Sequence, residues 1–316
     1  DGLVEFGLDN KSALRCKNMF ALGLVCWLFE RPLEEAMHML QNKFAKKPVI
    51  AQANIKALTD GYNYGNNIHA SVSTYRIESK KAEPGFYTDV NGNKATSYGL
   101  IAAAEKAGLQ LFLGSYPITP ATDILHELSK RKDLGVITVQ AEDEIAGICT
   151  SIGASFAGCL AATSTSGPGL ALKSEAIGLA VIAGLPTKSE QTDLMQALYG
   201  RNGESPAVVM AASTPTDCFD AAFWAGKLAV EHMTPVILLT DAFIANGSSA
   251  WRIPEMDKYP EIKPNYVANY QDEKVWKAYR RNKESLVRYW AIPGTEGFAH
   301  RLGGLEKDYE TSAIST

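Results

Sequence analysis

Three short polar clusters, each following an apolar segment, stand in the middle of the chain. They are Tyr116-Pro117-Ile118-Thr119-Pro120, Glu142-Asp143-Glu144, and the Ser-Thr-Ser-Gly-Pro-Gly turn at 164–169 that includes Ser166 and Gly167. Each apolar segment predicts a strand, and each cluster precedes a predicted helix. The clusters should therefore meet at the carboxyl edge of a parallel sheet, where open α/β proteins bind ligands. Their carboxyl groups, hydroxyl groups and glycines suit proton transfer, hydrogen bonding and close approach of backbone to a ligand.

Glu144 is the candidate for acid–base chemistry. It falls in the first turn of a predicted helix, where acidic side chains stabilise the positive end of the helix dipole. The alternative is a carboxyl group held at the sheet edge for proton transfer, in an apolar pocket formed by Val139, Ile145 and Ile148. A carboxyl group in an apolar pocket has a raised pKa and can share a proton with a heterocycle nitrogen. The pattern leaves both interpretations open.

The other two clusters have structural alternatives as well. Thr119 suits a helix N-cap and Pro120 a first helical residue, which describes a plain strand–helix junction. Such a junction is also stiff, and a stiff surface suits a ligand site. The turn with Ser166 and Gly167 matches no dinucleotide, P-loop or nucleophile-elbow motif. It is either a tight structural turn or a backbone surface for a ligand.

The remaining reactive side chains indicate little chemistry of their own. Arg201, in a loop before a predicted strand, is a solvated turn residue or an anion ligand. The five histidines show no metal-ligand spacing, and the five cysteines form no CxxC pair. We therefore predict no metal site, no iron–sulfur cluster and no disulfide framework in this chain. Unpaired cysteines fit a reducing cytoplasm.

Composition excludes two further classes of protein. The 316 residues are 46% apolar and 21% charged, with a net charge of -4, which is ordinary for a globular protein. A net negative charge argues against a broad nucleic-acid surface. The longest dense apolar run, residues 19–29, is too short for a membrane span. We expect a cytoplasmic protein whose two sequence ends both lie inside a longer chain.

The periodicity predicts two regions. Residues 1–75 form a helical piece plus linker, with helices at 17–29 and 32–46 and a third that the turn residues at 61–67 should end. Residues 76–316 form an α/β region with a C-terminal arm. After a turn at 91–93 and a helix at 97–107, strands are predicted at 110–116, 136–140, 160–164, 207–211 and 236–240. Strands alternating with helices predict a mostly parallel sheet with helices on both faces.

One junction breaks this alternation. The apolar helix that ends near Ala183 is followed by five residues and then by a polar helix predicted to start at Ser189. Two successive helices without a strand do not suit a parallel sheet. Either the topology changes here, or a strand and its loop are missing from the sequence.

Together the motifs resemble a known family. YPITP, AEDEIAG with IGASFAG, TSTSGPG, LPTKSEQTDL, GRNGESP and PVILLTD follow one another in this order. This series resembles the alpha subunit of 2-oxoacid:ferredoxin oxidoreductases, especially of the 2-oxoglutarate type, over roughly residues 92–260. Residues 17–69 resemble the end of the gamma subunit, which some bacteria fuse ahead of alpha. The resemblance thus implies part of a fused gamma–alpha chain.

The resemblance implies a fold, a reaction and partners. The fold is a thiamine-diphosphate pyrimidine-binding domain. The reaction is the coenzyme A-dependent oxidative decarboxylation of a 2-oxoacid, with electrons passed to ferredoxin. 2-Oxoglutarate is the expected substrate, and pyruvate or a branched-chain 2-oxoacid is the alternative. A beta subunit is expected to carry the diphosphate, Mg2+ and a 4Fe–4S cluster, in a dimer of alpha–beta units.

The resemblance also implies roles for single residues. Glu144 matches the glutamate that contacts the aminopyrimidine ring, and Thr119 matches a threonine at the substrate and cofactor. The other residues expected at the cofactor are Tyr116, Pro117, Ile118, Ser166 and Gly167. The family has a strand and an Arg-Gly-Gly loop before LPTK, and both are absent here, at the junction where the alternation breaks. Arg201 remains as a second candidate for the substrate.

Two alternatives from other classes stay open. The chain could be a scaffold subunit of the same architecture without a catalytic residue. It could also be an unrelated α/β protein that binds a phosphorylated ligand at the Gly-Pro-Gly turn.

Overall fold

The computed structural model describes residues 3–68, 73–78, 81–183, 188–189, 194–201, 205–267, 276–303 and 308. It divides into two compact units, Asp1–Pro84 and Gly85–Thr316. The sequence placed the change from helical to α/β pattern at 75/76, inside the first unit. That the helical unit is part of a gamma-type domain stays a prediction.

Among its described residues the first unit contains four α-helices: α1 (Asn10–Arg15), α2 (Lys17–Leu28), α3 (Glu34–Lys43) and α4 (Pro48–Ile68). The prediction that turn residues end the third helix near residue 61 is wrong, because α4 continues to Ile68. Its glycines serve packing instead. A Cβ on Gly61 would lie 1.9 Å from the Phe20 carbonyl oxygen, and one on Gly65 would lie 2.4 Å from the Trp27 ring. Glycine therefore lets α2 and α4 approach backbone to backbone.

The second unit contains eight strands and seven helices among its described residues. The strands are β1 (Tyr87–Asn91), β2 (Leu111–Ser115), β3 (Ile137–Gln140), β4 (Leu160–Ala162), β5 (Lys188–Ser189), β6 (Val208–Ala211), β7 (Val236–Leu239) and β8 (Ser248–Arg252). The helices are α5 (Gly92–Ala107), α6 (Thr122–Ser129), α7 (Glu144–Phe156), α8 (Gly169–Ala183), α9 (Leu194–Tyr199), α10 (Asp217–His232) and α11 (Ala242–Asn246). None of these described helices combines the length and apolarity that crossing a bilayer requires.

The strands form two parallel three-stranded sheets, ordered β3-β2-β4 and β5-β7-β6, and an antiparallel β1–β8 pair. All five strands predicted from the sequence are present, which confirms the α/β class with parallel strands and helices. Helices α5 and α10 pack closely because small residues face each other. A Cβ on Gly99 would meet the Phe219 carbonyl oxygen at 2.3 Å, and one on Gly226 would meet the Ala103 Cβ at 2.8 Å.

Two predictions about helix starts are wrong. The segment 91–93 is not a turn, since α5 begins at Gly92 directly after β1. The Asn91 side chain accepts a hydrogen bond from the Lys94 amide at 2.8 Å, so the asparagine acts as an N-cap. No helix begins at Ser189 either, because Lys188–Ser189 is a short strand that pairs in parallel with β7. Residues 184–187 and 190–193 lie outside the described residues, and the missing strand and loop stay a prediction.

Candidate cofactor site

The three polar clusters lie together at one edge of the β3-β2-β4 sheet. Strand β2 pairs with β3 on one side and with β4 on the other, so the chain leaves all three strands toward the same edge. The Ser115 and Ser164 hydroxyl oxygens, at the ends of β2 and β4, are buried and 2.7 Å apart. The meeting of the clusters expected from the sequence is therefore observed.

Tyr116 links the three clusters. Its ring is 5% exposed, and its hydroxyl donates to Glu144 Oε1 at 2.7 Å. The same hydroxyl lies 2.7 Å from Thr165 Oγ1. Burial, reinforced by the hydrogen bond to Glu144, raises the pKa of Tyr116 above its ordinary value. The phenol therefore remains protonated and serves as a fixed donor to the carboxylate.

Asp143 and Glu144 have different roles at the start of α7. Asp143 is the N-cap, and its Oδ1 accepts from the Ala146 amide at 2.8 Å. Glu144 is thus not needed for capping and extends toward Tyr116 instead. Among the described residues its second oxygen, Oε2, has no hydrogen-bond partner, while Oε1 accepts from Tyr116. The tyrosine therefore holds one of the two carboxyl oxygens.

The surroundings of Glu144 differ from the apolar pocket predicted from the sequence. Ile148 is fully buried, but Ile145 is 52% exposed and does not enclose the carboxyl group. The carboxyl group bonds to the Tyr116 hydroxyl, which itself contacts Thr165, because α7 turns Glu144 toward the ends of β2 and β4. The glutamate is half-buried in a polar, hydrogen-bonded setting.

Gly169, the last residue of the third cluster, makes this contact possible. A Cβ there would lie 1.9 Å from Thr165 Oγ1, 2.9 Å from the Tyr116 hydroxyl and 3.2 Å from Glu144 Cγ. Any side chain would thus displace the hydroxyl groups that hold the glutamate. Gly167 has a φ of +58°, which favours glycine for a second, conformational reason.

A cleft of about 310 Å³ opens beside this network. Its lining residues come from three strand ends and are Ile118, Thr119, Pro120, Ala121, Thr165, Ser166, Gly167, Thr240, Asp241 and Ala242. Ser166 Oγ donates to the Thr119 carbonyl oxygen at 2.8 Å, which joins the first and third clusters beside the cleft. Pro117 is exposed next to these residues and is not part of the lining.

Thr119 is not the helix cap predicted from the sequence. Helix α6 begins at Thr122, and the Thr122 hydroxyl accepts from the Ile118 amide at 2.7 Å. The Thr119–Pro120 peptide bond is cis. Thr119 is exposed toward the cleft, as a ligand-binding role would require.

Sequence reasoning missed the contribution of β7. Thr240 and Asp241 follow this strand and line the cleft opposite Thr119. Asp241 caps α11 by accepting from the Ile244 amide at 2.8 Å. The signal was visible in the sequence, because a polar pair directly follows the apolar strand of PVILLTD.

Lys173 is a second residue that sequence reasoning missed. It is fully buried on α8, and its Nζ donates to Thr163 Oγ1 at 2.7 Å and to the Ser164 carbonyl oxygen at 3.1 Å. The ammonium group also lies 5.5 Å from the centre of the Tyr116 ring. Burial lowers the pKa of Lys173 to about 7, and the charge of Glu144 opposes that shift. A lysine in a mostly apolar helix was the available signal.

Arg201 does not line the cleft. Its guanidinium donates to the carbonyl oxygens of Ser205 at 2.8 Å, of Leu198 at 3.1 Å and of Ala197. Burial lowers the pKa of Arg201 below its ordinary value. These bonds connect Arg201 to α9 and to Ser205, and a substrate role for Arg201 stays a prediction without geometric support. Across the described ranges, no group of His, Cys, Asp and Glu side chains is arranged to hold a metal ion.

Comparison with known families adds an independent observation. The family described as pyruvate flavodoxin/ferredoxin oxidoreductase, thiamine diphosphate-binding, matches residues 102–186 and 181–315. The chain belongs to this family. The two matched segments overlap at residues 181–186, the junction where the sequence alternation breaks.

Individual relatives support the assignment. The chain is 51% identical to the Mycobacterium tuberculosis 2-oxoglutarate oxidoreductase subunit KorA over 331 aligned residues, covering 99% of this chain and 50% of that protein. It is 36% identical to the Archaeoglobus fulgidus 2-oxoglutarate synthase subunit KorA over 198 residues, 56% of each.

A solved structure gives the same result. It is a 2-oxoglutarate:ferredoxin oxidoreductase from Magnetococcus marinus with 2-oxoglutarate, coenzyme A and succinyl-CoA bound, and it aligns with a TM-score of 0.80 and 31% identity. The alignment covers 95% of this chain and 54% of that one. The chain thus spans about half the length of these two relatives, the M. tuberculosis and M. marinus proteins.

Proposed function

We propose that this chain supplies the pyrimidine-facing half of a thiamine diphosphate site in a 2-oxoglutarate:ferredoxin oxidoreductase. The observation that carries the proposal is Glu144, whose Oε1 is held by Tyr116 and whose Oε2 has no hydrogen-bond partner among the described residues, at the same sheet edge as the cleft. Family membership supports the cofactor. The names of the two KorA relatives support the substrate.

The residues present fit a flat heteroaromatic ring. Glu144 Oε2 can hold or move one proton at a ring nitrogen. Gly167 and Gly169 leave the approach free of side chains, and Ile118 offers an apolar contact from the cleft wall. When bound, thiamine diphosphate supplies the electron sink for loss of carbon dioxide from a 2-oxoacid.

The residues around the glutamate have distinct roles in this proposal. Tyr116 orients the carboxyl group by donating to one oxygen only, which fixes where the free oxygen points. The exposed Thr119 hydroxyl at the cleft can hold the carbonyl or carboxylate oxygen of the 2-oxoacid. The bond from Ser166 to the Thr119 carbonyl oxygen keeps that hydroxyl in place.

The proposal also includes the cosubstrate, the electron acceptor and the partner subunit of the reaction. They are coenzyme A-dependent formation of succinyl-CoA, ferredoxin as electron acceptor, and a beta subunit that carries the diphosphate, Mg2+ and a 4Fe–4S cluster. A dimer of alpha–beta units in the cytoplasm completes it. The M. marinus structure, with 2-oxoglutarate, coenzyme A and succinyl-CoA bound, supports the substrate pair. Pyruvate remains the alternative substrate, since the family description names it.

The test replaces Glu144 by Gln in the assembled enzyme. Loss of a positioned acid–base group should lower the rate by about 10²- to 10⁴-fold. The matched control is Glu142→Gln, an exposed carboxylate in the same turn, which should keep the wild-type rate. The measurement is 2-oxoglutarate-dependent, coenzyme A-dependent reduction of ferredoxin, with thiamine diphosphate affinity determined in parallel. Equal rates for both variants would reject a catalytic role and favour a scaffold subunit.

A further inference from the structure

Asp241 is the charged residue among the described residues that line the cleft. The other lining residues are apolar, are glycine or carry a hydroxyl group, and none of them is a lysine, an arginine or a histidine. The substrate proposed for this site, 2-oxoglutarate, carries two carboxylate groups. Like charges repel each other, and they do so more strongly where protein replaces water. An explanation is therefore needed for a carboxylate in the lining of this cleft.

Helix capping uses one oxygen of Asp241. Oδ1 accepts the hydrogen bond from the Ile244 amide at 2.8 Å, whereas Oδ2 has no hydrogen-bond or ion-pair partner within the described ranges. The side chain is exposed and lines the cleft. Asparagine and serine cap helices about as well as aspartate does. The start of α11 therefore does not require a negative charge, and the charge can act on a molecule that enters the cleft.

The first and third clusters line another part of the cleft with different chemistry. Thr119 is exposed there, and its hydroxyl has no hydrogen-bond partner in the described part of the chain, so it can donate to a carboxylate. Ser166 holds this segment by donating to the Thr119 carbonyl oxygen at 2.8 Å. The lining is therefore uncharged with a hydroxyl donor at Thr119 and negative at Asp241. A carboxylate is more stable beside a hydroxyl donor than beside a second carboxylate.

We propose that Asp241 is a specificity-determining residue that directs the carboxylate next to the 2-oxo group toward Thr119. This inference rests on the proposed function, in which the cleft takes a 2-oxoacid. Repulsion by Asp241 disfavours each orientation that brings a carboxylate to the end of β7, so the orientation with the carboxylate at the Thr119 hydroxyl is favoured. Asp241 thus acts by excluding wrong orientations and forms no bond to the substrate.

Removing only the charge should allow unproductive orientations. Asp241→Asn keeps the size of the side chain and the capping oxygen. 2-Oxoglutarate can then also bind with a carboxylate beside residue 241, which misplaces its reactive carbonyl group. Unproductive binding lowers kcat and KM by the same factor and leaves kcat/KM unchanged, because the productive transition state is unaltered. We expect both constants to fall by about five- to tenfold, the effect of removing one like-charge contact.

The experiment measures Asp241→Asn in the assembled enzyme, by steady-state kinetics with 2-oxoglutarate. Calorimetric titration with glutarate, a dicarboxylate without the oxo group, gives an affinity that does not depend on turnover. This affinity should increase by about five- to tenfold in Asp241→Asn. Asp241→Ala should show the same kinetic change and, since it also loses the cap, a lower unfolding temperature. Asp217→Asn is the matched control, because Asp217 follows β6 but does not line the cleft, and it should keep the wild-type constants.

Three results would overturn the inference. Wild-type kcat, KM and glutarate affinity in Asp241→Asn would make Asp241 a helix cap only. A raised KM in Asp241→Asn would mean that Asp241 binds the substrate instead of repelling it. A kinetic change in Asp241→Ala that Asp241→Asn does not share would assign the effect to the cap.

The Glu144→Gln variant distinguishes failure of this inference from failure of the proposed function. If Glu144→Gln is inactive while Asp241→Asn has wild-type constants, the role of Asp241 is rejected and the role of Glu144 stands. If Glu144→Gln is fully active, the proposed function fails, and the role of Asp241 fails with it.

Discussion

The carboxyl edges of the two parallel sheets use similar residues in different ways. At the β3-β2-β4 edge, polar side chains bond across motifs far apart in sequence: Tyr116 to Glu144, Tyr116 to Thr165, and Ser166 to Thr119. At the β5-β7-β6 edge, the side-chain bonds of Ser213 and Asp241 stay within four residues. Ser213 donates to Asp217, and Asp241 accepts from the Ile244 amide.

This difference distinguishes a ligand site from a helix cap. A bond within four residues completes a helix end and needs no other strand. A bond that joins two strand ends requires the sheet to be assembled first, and it positions groups that the local chain could not hold. We expect substitutions at the first edge to affect both stability and ligand binding, and most substitutions at the second to affect stability alone.

The largest effect is expected from Gly169→Ala. The new methyl group would overlap Thr165 Oγ1, so the tyrosine–glutamate contact would have to shift. Overpacking of this kind costs about 1–3 kcal/mol. Gly178→Ala, on the same helix, meets only Ser205 Oγ at 3.9 Å and should stabilise α8 by about 0.5–1 kcal/mol. Thermal unfolding and thiamine diphosphate titration of both assembled variants measure the contrast. If the two alanine variants had equal unfolding temperatures and equal thiamine diphosphate affinities, Gly169 would not be a packing constraint.

Tyr116→Phe should rank second. It removes a hydroxyl that serves Glu144 and Thr165 at once, leaving buried acceptors without their donor at a cost of about 1–3 kcal/mol. Ser213→Ala removes an exposed hydroxyl bonded only to Asp217 and should cost about 0.5 kcal/mol. Unfolding temperatures of the assembled variants test the ranking. The prediction fails if Tyr116→Phe unfolds at the same temperature as Ser213→Ala or binds the cofactor with unchanged affinity.

The same contrast explains what the sequence could predict. The strands and the three polar clusters followed from local patterns, and so did the meeting of the clusters at one edge, because parallel strands share an edge. The partner of Glu144 did not follow: periodicity suggested Ile145 and Ile148, whereas the carboxyl group bonds to Tyr116 on another strand. Lys173 and Asp241 were missed because their roles depend on which sheet elements lie beside them. Gly61 was misread as a turn residue because its neighbour, Phe20 on another helix, is not apparent from local sequence.

The third largest effect is expected in the pH dependence of stability, and it comes from Lys173. Its pKa is about 7 in the folded chain and 10.5 ordinarily, so between these values the unfolded chain holds more protons than the folded one. Stability therefore rises with pH in that window, by at most about 1.4 kcal/mol per pH unit. Lys173→Met should lack this gain. Between pH 7 and 9 the unfolding temperature of the wild-type protein should therefore rise relative to that of Lys173→Met. If the unfolding temperatures of the two proteins changed with pH in parallel, a buried lysine with a lowered pKa would be contradicted.

The smallest effects are expected at the two aspartate caps, one at each edge. Asp143 and Asp241 each accept one amide hydrogen bond at 2.8 Å, so replacing either by Ala should cost about 1 kcal/mol. Asn supplies the same oxygen without the charge and should restore stability at both positions. If Asp143→Asn were as unstable as Asp143→Ala, the charge at the start of α7 would matter more than the cap. That result would mean that Asp143 stabilises α7 through the helix dipole. Glu144 would then be the acidic residue of the cluster that is directed toward a ligand.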